Sequence, residues 1–257
     1  MAFFTEGIRR IRPAPLGAAI ARASGLNRRR FVQTAHGTFF VNPLSILGSQ
    51  LLSRAAEYDP ATREVLRRYL KQGSVFVDLG ANEGYFTVIA SAMVGTAGKV
   101  ICIEPQSRLQ EVIEAHLQAN SCANVQVKKV AVSSRTGKVH LELTSELNTG
   151  ATSLFRHTKY HLPKEEVHSY TLAELFSSLR LGHCDLLKVD IEGAEYDAFV
   201  ASRDFLLTGT VRTIAVEVHG MTLERRGLSW APVDRLMREC GYRMESADNP
   251  RVYSLSK

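Results

Sequence analysis

The sequence predicts an α/β protein built on a mostly parallel sheet with helices on both faces. Two observations carry this: apolar, β-rich runs alternate with helical patterns from residue 75 onward, and two short β runs, 242–246 and 252–255, close the chain around an Asp248-Asn249-Pro250 turn. The closing pair adds an antiparallel strand to the parallel ones. Its length of 257 residues suits one such domain with an extension and is enough to bury a core without disulfides or structural metal.

The elements follow in order. Phe4, Ile8 and Ile11 at helical spacing, before Pro13 and Pro15, suggest a short basic amphipathic helix. Residues 31–53 read as short strands and loops. Asp59-Pro60 starts a helix with an Asp cap and Pro in the first turn, and Val65, Leu66, Tyr69 and Leu70 form its apolar face up to Gly73. Val75–Leu79 is a strand, Tyr85–Val94 a helix and Val100–Glu104 a strand. Ser107–Asn120 is a helix opened by a Ser107/Gln110 capping box, and Val125–Val132 is a third strand. After an insertion over 133–170, Thr171–Leu181 is a helix with its own Thr-x-x-Glu box. Leu186–Asp190 is a strand, Ala194–Leu206 a helix, Thr213–Val218 a strand and Val233–Cys240 the last helix.

Charge divides the chain. Residues 1–30 hold seven Arg and the single acid Glu6, and the other 227 residues carry 25 basic and 25 acidic side chains. The net charge of +6 therefore belongs to a basic arm, 1–30, ahead of a neutral domain, 31–257, whose residues 31–72 form an N-terminal strand and helix extension. The longest run free of charge, 31–53, contains Gln33, His36, Asn42, Pro43 and Gln50 and is no membrane span. Residues 1–30 lack the apolar core of a signal peptide, and two prolines interrupt any resemblance to a transit peptide. Four dispersed cysteines without C-x-x-C spacing point to a reducing, cytoplasmic setting. The arm adds a second expectation, peripheral contact with an anionic membrane.

Ligands of such sheets lie beyond the carboxyl ends of the strands, and the chemistry-bearing residues fall there. The first strand runs into Asp78-Leu79-Gly80-Ala81-Asn82-Glu83-Gly84-Tyr85, a turn whose glycines allow close backbone approach. It lacks the Gly-Lys-Ser/Thr of a phosphate loop, and G-x-N-x-G replaces G-x-G-x-x-G. Asp78 is placed to meet a cationic amino group. Glu104-Pro105 ends the second strand, where a carboxylate can accept both hydroxyls of a ribose. Asp190, Glu192, Glu217 and His219 end or follow the next two strands, a crowding that raises carboxylate pKa values and can poise a general base. They match no metal-ligand motif, so no metal is assigned. Asn148, Gly150 and Ser153 form a small polar loop suited to covering a substrate. His157, His161 and His168 are given no role.

Taken together, Val77–Phe86, Glu104-Pro105, Asn148–Leu154, Leu187–Glu195 and Glu217-Val218-His219 resemble the FkbM-type family of S-adenosylmethionine-dependent methyltransferases. The resemblance spans roughly residues 55–220, and Leu-Lys-Val-Asp-Ile-Glu-Gly-Ala-Glu is its most specific signature. It implies a class I, Rossmann-like methyltransferase fold of seven strands, the last antiparallel. It also implies S-adenosylmethionine as cofactor and transfer to a hydroxyl of a sugar, glycolipid or small natural product. Asp78, Gly80, Ala81, Asn82, Gly84 and Tyr85 would hold the methionine part, Glu104 and Pro105 the ribose, and Ala131 and Val132 would lie near the adenine. Asp190 or His219 would act as base, with Glu192, Asn148, Gly150, Ser153 and Glu217 toward the acceptor. Two rival readings stand beside this one. One is an NAD-dependent oxidoreductase, which shares the sheet and the acidic ribose ligand. The other is a non-catalytic module bound to anionic membrane or nucleic acid through its arm. The neutral domain argues against a specific nucleic-acid partner.

Overall fold

The computed structural model describes residues 20–21, 23–53, 58–145, 147–154 and 162–256. The expected helix around Phe4–Ile11 lies outside them, as do His157 and His161 and most of the basic arm.

The first elements form an antiparallel ribbon, β1 (Arg30–Thr34) and β2 (Gly37–Val41). Since β1 starts at Arg30, the last arginine of the arm belongs to the folded ribbon. Residues expected to continue as loop instead form helix α1 (Ile46–Ser53). The start signal is Ser45, whose hydroxyl accepts the Gly48 N–H at 3.0 Å. Helix α2 (Pro60–Tyr69) is capped as expected, Thr62 N donating to Asp59 Oδ1 at 3.0 Å.

A seven-stranded sheet follows. It comprises β3 (Val75–Leu79), β4 (Lys99–Ile103), β5 (Val125–Lys128), β9 (Cys184–Val189), β10 (Val211–Val216), β11 (Tyr242–Ser246) and β12 (Arg251–Leu255), in the order β11-β12-β10-β9-β3-β4-β5. Only β12 runs against the rest, so the expected architecture is present. The third strand is shorter than predicted. It leaves the sheet after Lys128, and β6 (Ala131–Val132) pairs instead with β8 (Lys164–Tyr170) in a three-stranded sheet completed by β7 (Gly137–Glu142). The insertion is thus a β hairpin that captures the end of the preceding strand.

Helices cover both faces. On one side lie α2 and α3 (Tyr85–Val94), around Phe76, Phe86, Leu66 and the ribbon's Phe39. On the other lie α5 (Leu172–Ser178), α6 (Glu195–Val200), α7 (Arg203–Leu207), α8 (Gly220–Arg225) and α9 (Ala231–Glu239), around Phe176, Phe199, Leu223, Trp230 and Met237. Strand periodicity assigns the faces: Phe76 enters the first core, Val77 and Leu79 the second. Each such fully buried phenylalanine contributes about 1.5–3 kcal/mol of transfer free energy.

Two local expectations are corrected. The helix predicted over 194–206 breaks into α6 and α7 where Ser202 Oγ turns back to Ala198 O at 2.6 Å. The Ser107/Gln110 capping box does not form at α4 (Ser107–Ala119). Glu165 of β8 takes the Ser107 N–H, and Gln110 Nε2 donates to Glu104 O at 2.8 Å. The Thr171 cap of α5 is present, its hydroxyl accepting Glu174 N at 3.2 Å. All four cysteines are free thiols. No helix of the described residues is long and apolar enough to cross a membrane.

Candidate active site

Chain order reverses between β3 and β9, so the loops after these strands diverge and leave a crevice at their carboxyl ends. A cavity of about 200 Å³ lies there. Gly80 closes its floor. With φ at +76° and an added Cβ only 1.7 Å from Asp190 O, this position admits no other residue without moving the backbone. Asn82 follows in the left-handed region, φ 51°.

Glu104 forms one wall. The carboxylate is almost fully buried, Asn82 N donating to Oε2 at 2.8 Å and Gln106 N to Oε1 at 2.9 Å. Burial raises its pKa to about 7, against the pull of those N–H groups. Each oxygen accepts one backbone donor, and the Gln106 side chain adds a further hydrogen bond to the carboxylate. Pro105, Ala131 and Val132 line the same side.

The opposite wall is acidic. Asp190, Glu192 and Glu217 line the cavity from the ends of β9 and β10. Glu192 holds a left-handed backbone, φ 53°, at a cost of about 1–3 kcal/mol for a residue with a side chain. His219 stands behind them, Nδ1 at 3.0 Å from Glu195 Oε1 and Nε2 at 3.5 Å from Glu192 Oε2 and 3.9 Å from Asp190 Oδ1. Glu195 is itself buried and fixed by the N–H groups of Ile191 and Gly193. Desolvation disfavours a charged imidazole, but the hydrogen bond and negative charge of Glu195, with Glu192 and Asp190, outweigh it and raise His219 to about 10. Burial and the neighbouring carboxylates raise Glu192 to about 8. Asp190 and Glu217 are also raised, mainly by burial. Among the described residues Asp190, Glu217 and His219 each offer a ligand atom within 4.8 Å of the others. Both nitrogens of His219, however, face carboxylates, the arrangement of an imidazolium held by anions.

A strap from the insertion crosses the cavity. Thr149 Oγ1 donates to Asn82 Oδ1 at 2.8 Å, Gln106 Nε2 to Thr149 O at 3.2 Å and Ser153 Oγ to Glu192 O at 2.5 Å. Asn148, Gly150 and Ser153 all line the cavity.

Residues 78–244 match the model of the methyltransferase FkbM domain. The chain belongs to the FkbM methyltransferase family. It is a methyltransferase that uses S-adenosylmethionine, and the nicotinamide-dependent reading falls. Residues 18–134 also match the model of protein-L-isoaspartate(D-aspartate) O-methyltransferases. No curated protein sequence matches the chain significantly. Solved structures similar to this FkbM-family chain include an S-adenosylmethionine-dependent O-methyltransferase from Thermotoga maritima, 11% identical over 90% of this chain and 88% of that one, TM-score 0.47. A methyltransferase from Aquifex aeolicus is 16% identical over 75% and 86%, TM-score 0.42. Fibrillarin from Aeropyrum pernix, solved with natively bound S-adenosylmethionine, is 12% identical over 89% and 82%, TM-score 0.43.

Several residues expected at the FkbM-family cofactor do not reach the cavity. Asp78 is fully buried and already has its cation: Lys188 Nζ lies 3.1 Å from Oδ1, and Thr87 Oγ1 donates to Oδ2 at 2.8 Å. The amino group it was expected to bind is the protein's own. Ala81 packs beside Cys102, Leu109 and Ile113, and Gly84, which opens α3, faces Ile113. Tyr85 stacks among Phe39, Tyr58 and Phe86. Conversely, Tyr58, Ile46 and Leu47 of the N-terminal extension line the cavity. No local signal marked them. Lys188 and Glu195 did carry one, as charged residues within or beside buried segments, where a charge without a partner is costly.

Proposed function

We propose that this FkbM-family protein methylates a hydroxyl oxygen of a sugar, glycolipid or small natural product. The observation that carries the reading is Asp190, a carboxylate in the cavity wall held among Lys188, His219 and Glu192. Bound there, S-adenosylmethionine supplies an electrophilic methyl group on a sulfonium centre. The chain's part is to align the acceptor and receive its proton, because a neutral hydroxyl is a poor nucleophile. Of the two candidate bases, Asp190 suits the role. His219, raised to about 10, is an imidazolium at neutral pH and has no lone pair to offer. It acts instead as a fixed cation that favours the ionised form of Asp190. Glu192, largely protonated below its value of about 8, can donate to an acceptor oxygen. Glu217, Asn148, Gly150 and Ser153 complete the acceptor side.

Gly80, Asn82 and the Glu104 carboxylate fit an adenosine-bearing ligand, since Glu104 lines the cavity at its strand end with a carboxylate able to accept a ligand hydroxyl. Glu104→Gln is expected to weaken S-adenosylhomocysteine by roughly 10- to 100-fold in calorimetric titration, one hydrogen bond to a charged acceptor being lost. Unchanged affinity in the folded variant would remove the ribose assignment.

The acceptor class is tested by incubating the protein and S-adenosylmethionine with panels of sugars, glycolipids and small polyhydroxylated natural products. A mass gain of one methylene at oxygen is expected. Methylation found only at nitrogen, carbon or a protein side chain would sink the proposal.

A further inference from the structure

We propose that Arg29 is a positioning residue for the cofactor, acting through Glu83, and that the β1–β2 ribbon is a working part of the cofactor site. Glu83 sits in the glycine turn between Asn82, whose N–H holds the Glu104 carboxylate, and Gly84, which opens α3. Its side chain is only 2% exposed, and Arg29 Nη1 approaches Oε2 to 2.6 Å. The same guanidinium nitrogen donates to Phe40 O in β2 at 3.1 Å. The backbone of the turn is tied to the same strand: the His116 imidazole lies 2.7 Å from Glu83 O and 3.1 Å from Phe40 O. A ring contact completes the junction, Phe39 lying 4.9 Å from Tyr85 in the first turn of α3.

The turn therefore has two supports. Inside, Glu104 fixes the Asn82 N–H; outside, Arg29 and His116 fix Glu83. Removing Arg29 leaves a buried carboxylate unpaired, which costs several times what an exposed pair is worth. The turn can relieve that cost by rotating Glu83 outward. Such a rotation moves Asn82, the next residue, and with it the donor that orients Glu104 and the oxygen that receives Thr149. Arg29, which precedes β1 and is tied to β2, lies 54 positions from Glu83 and thus acts on the cofactor wall without touching the ligand.

Titration with S-adenosylhomocysteine tests this on the intact protein. Arg29→Met and Glu83→Gln are each expected to weaken it by about tenfold or more, and the double variant by little more than either single one, because the two act as one unit. The control is His36→Ala, which cuts a ribbon contact away from the turn, where Arg63 Nη1 lies 2.8 Å from His36 Nε2. It is expected to lower the melting temperature while leaving the affinity intact. Wild-type affinity in folded Arg29→Met or Glu83→Gln would overturn the proposal. So would an equal loss in His36→Ala, which would make the ion pair a staple for the ribbon and nothing more. The two single variants read the same quantity, so the test survives if one of them fails to fold.

Discussion

Asp190→Asn is expected to cut turnover by about 10²–10⁴-fold, the usual contribution of a general base, with affinity for S-adenosylhomocysteine within about threefold of wild type. The amide keeps the shape of the carboxylate but cannot take a proton. The pH profile assigns the proton. Burial raises the Asp190 pKa, the charges of Lys188 (3.5 Å) and His219 (3.9 Å) lower it, and Glu195 and Asp78 raise it further. The active form is the carboxylate, so turnover is lost as pH falls through a value above the ordinary carboxylate range. His219 remains a cation until about pH 10. A base at His219 would instead give a rate that climbs toward pH 10 and is nearly absent at pH 7. Measuring kcat from pH 5 to pH 10 separates the two, and a limb near 10 would transfer the role to the histidine.

Lys188→Met is expected to destabilise the protein by about 3–5 kcal/mol, the cost of leaving a buried charge without its partner. Asp78 is wholly buried, and with Lys188 gone only the Thr87 hydroxyl remains to it among the described residues. Lys188 Nζ also lies 3.4 Å from Gly80 O and crosses the Phe86 ring at 5.7 Å, so its loss reaches the turn that forms the cavity floor. Asp78→Asn combined with Lys188→Met should be more stable than Lys188→Met alone, since the orphaned charge is then absent. Urea unfolding of the two singles and the double decides the matter. Additive losses would show that Asp78 and Lys188 act separately.

The Asp78–Lys188 pair shows how far reading along the chain extends. Each residue was legible as an anomaly: one aspartate in Val-Phe-Val-Asp-Leu and one lysine in Leu-Leu-Lys-Val, both in runs apolar enough to be buried on two faces. Their pairing was not legible, because β3 and β9 are 110 residues apart and become neighbours only through the order of the sheet. Asp78 was accordingly expected to bind an amino group of the ligand, whereas in the fold its carboxylate meets the Lys188 ammonium and the Thr87 hydroxyl. Glu104 differed. Its neighbours Asn82 and Gln106 come from the two loops flanking adjacent parallel strands, a short-range arrangement, and it occupies the strand-end position its spacing implied.

What the sequence by itself determined is local and periodic. It specified the glycine turn, whose backbone requires φ above zero, the Asp59 and Thr171 caps, the faces of the strands, the antiparallel closing strand and the family signature. These depend on neighbours a few residues away or on a repeat of two or 3.6. The tertiary structure alone decided which carboxylates meet, which group carries a proton, and that the N-terminal extension shares in the site. Ionisation depends on burial and on charges a few ångströms away in space. Those neighbours (Lys188 for Asp78, Glu195 for His219, Arg29 for Glu83) come from different strands and loops, and only the packed sheet brings them together.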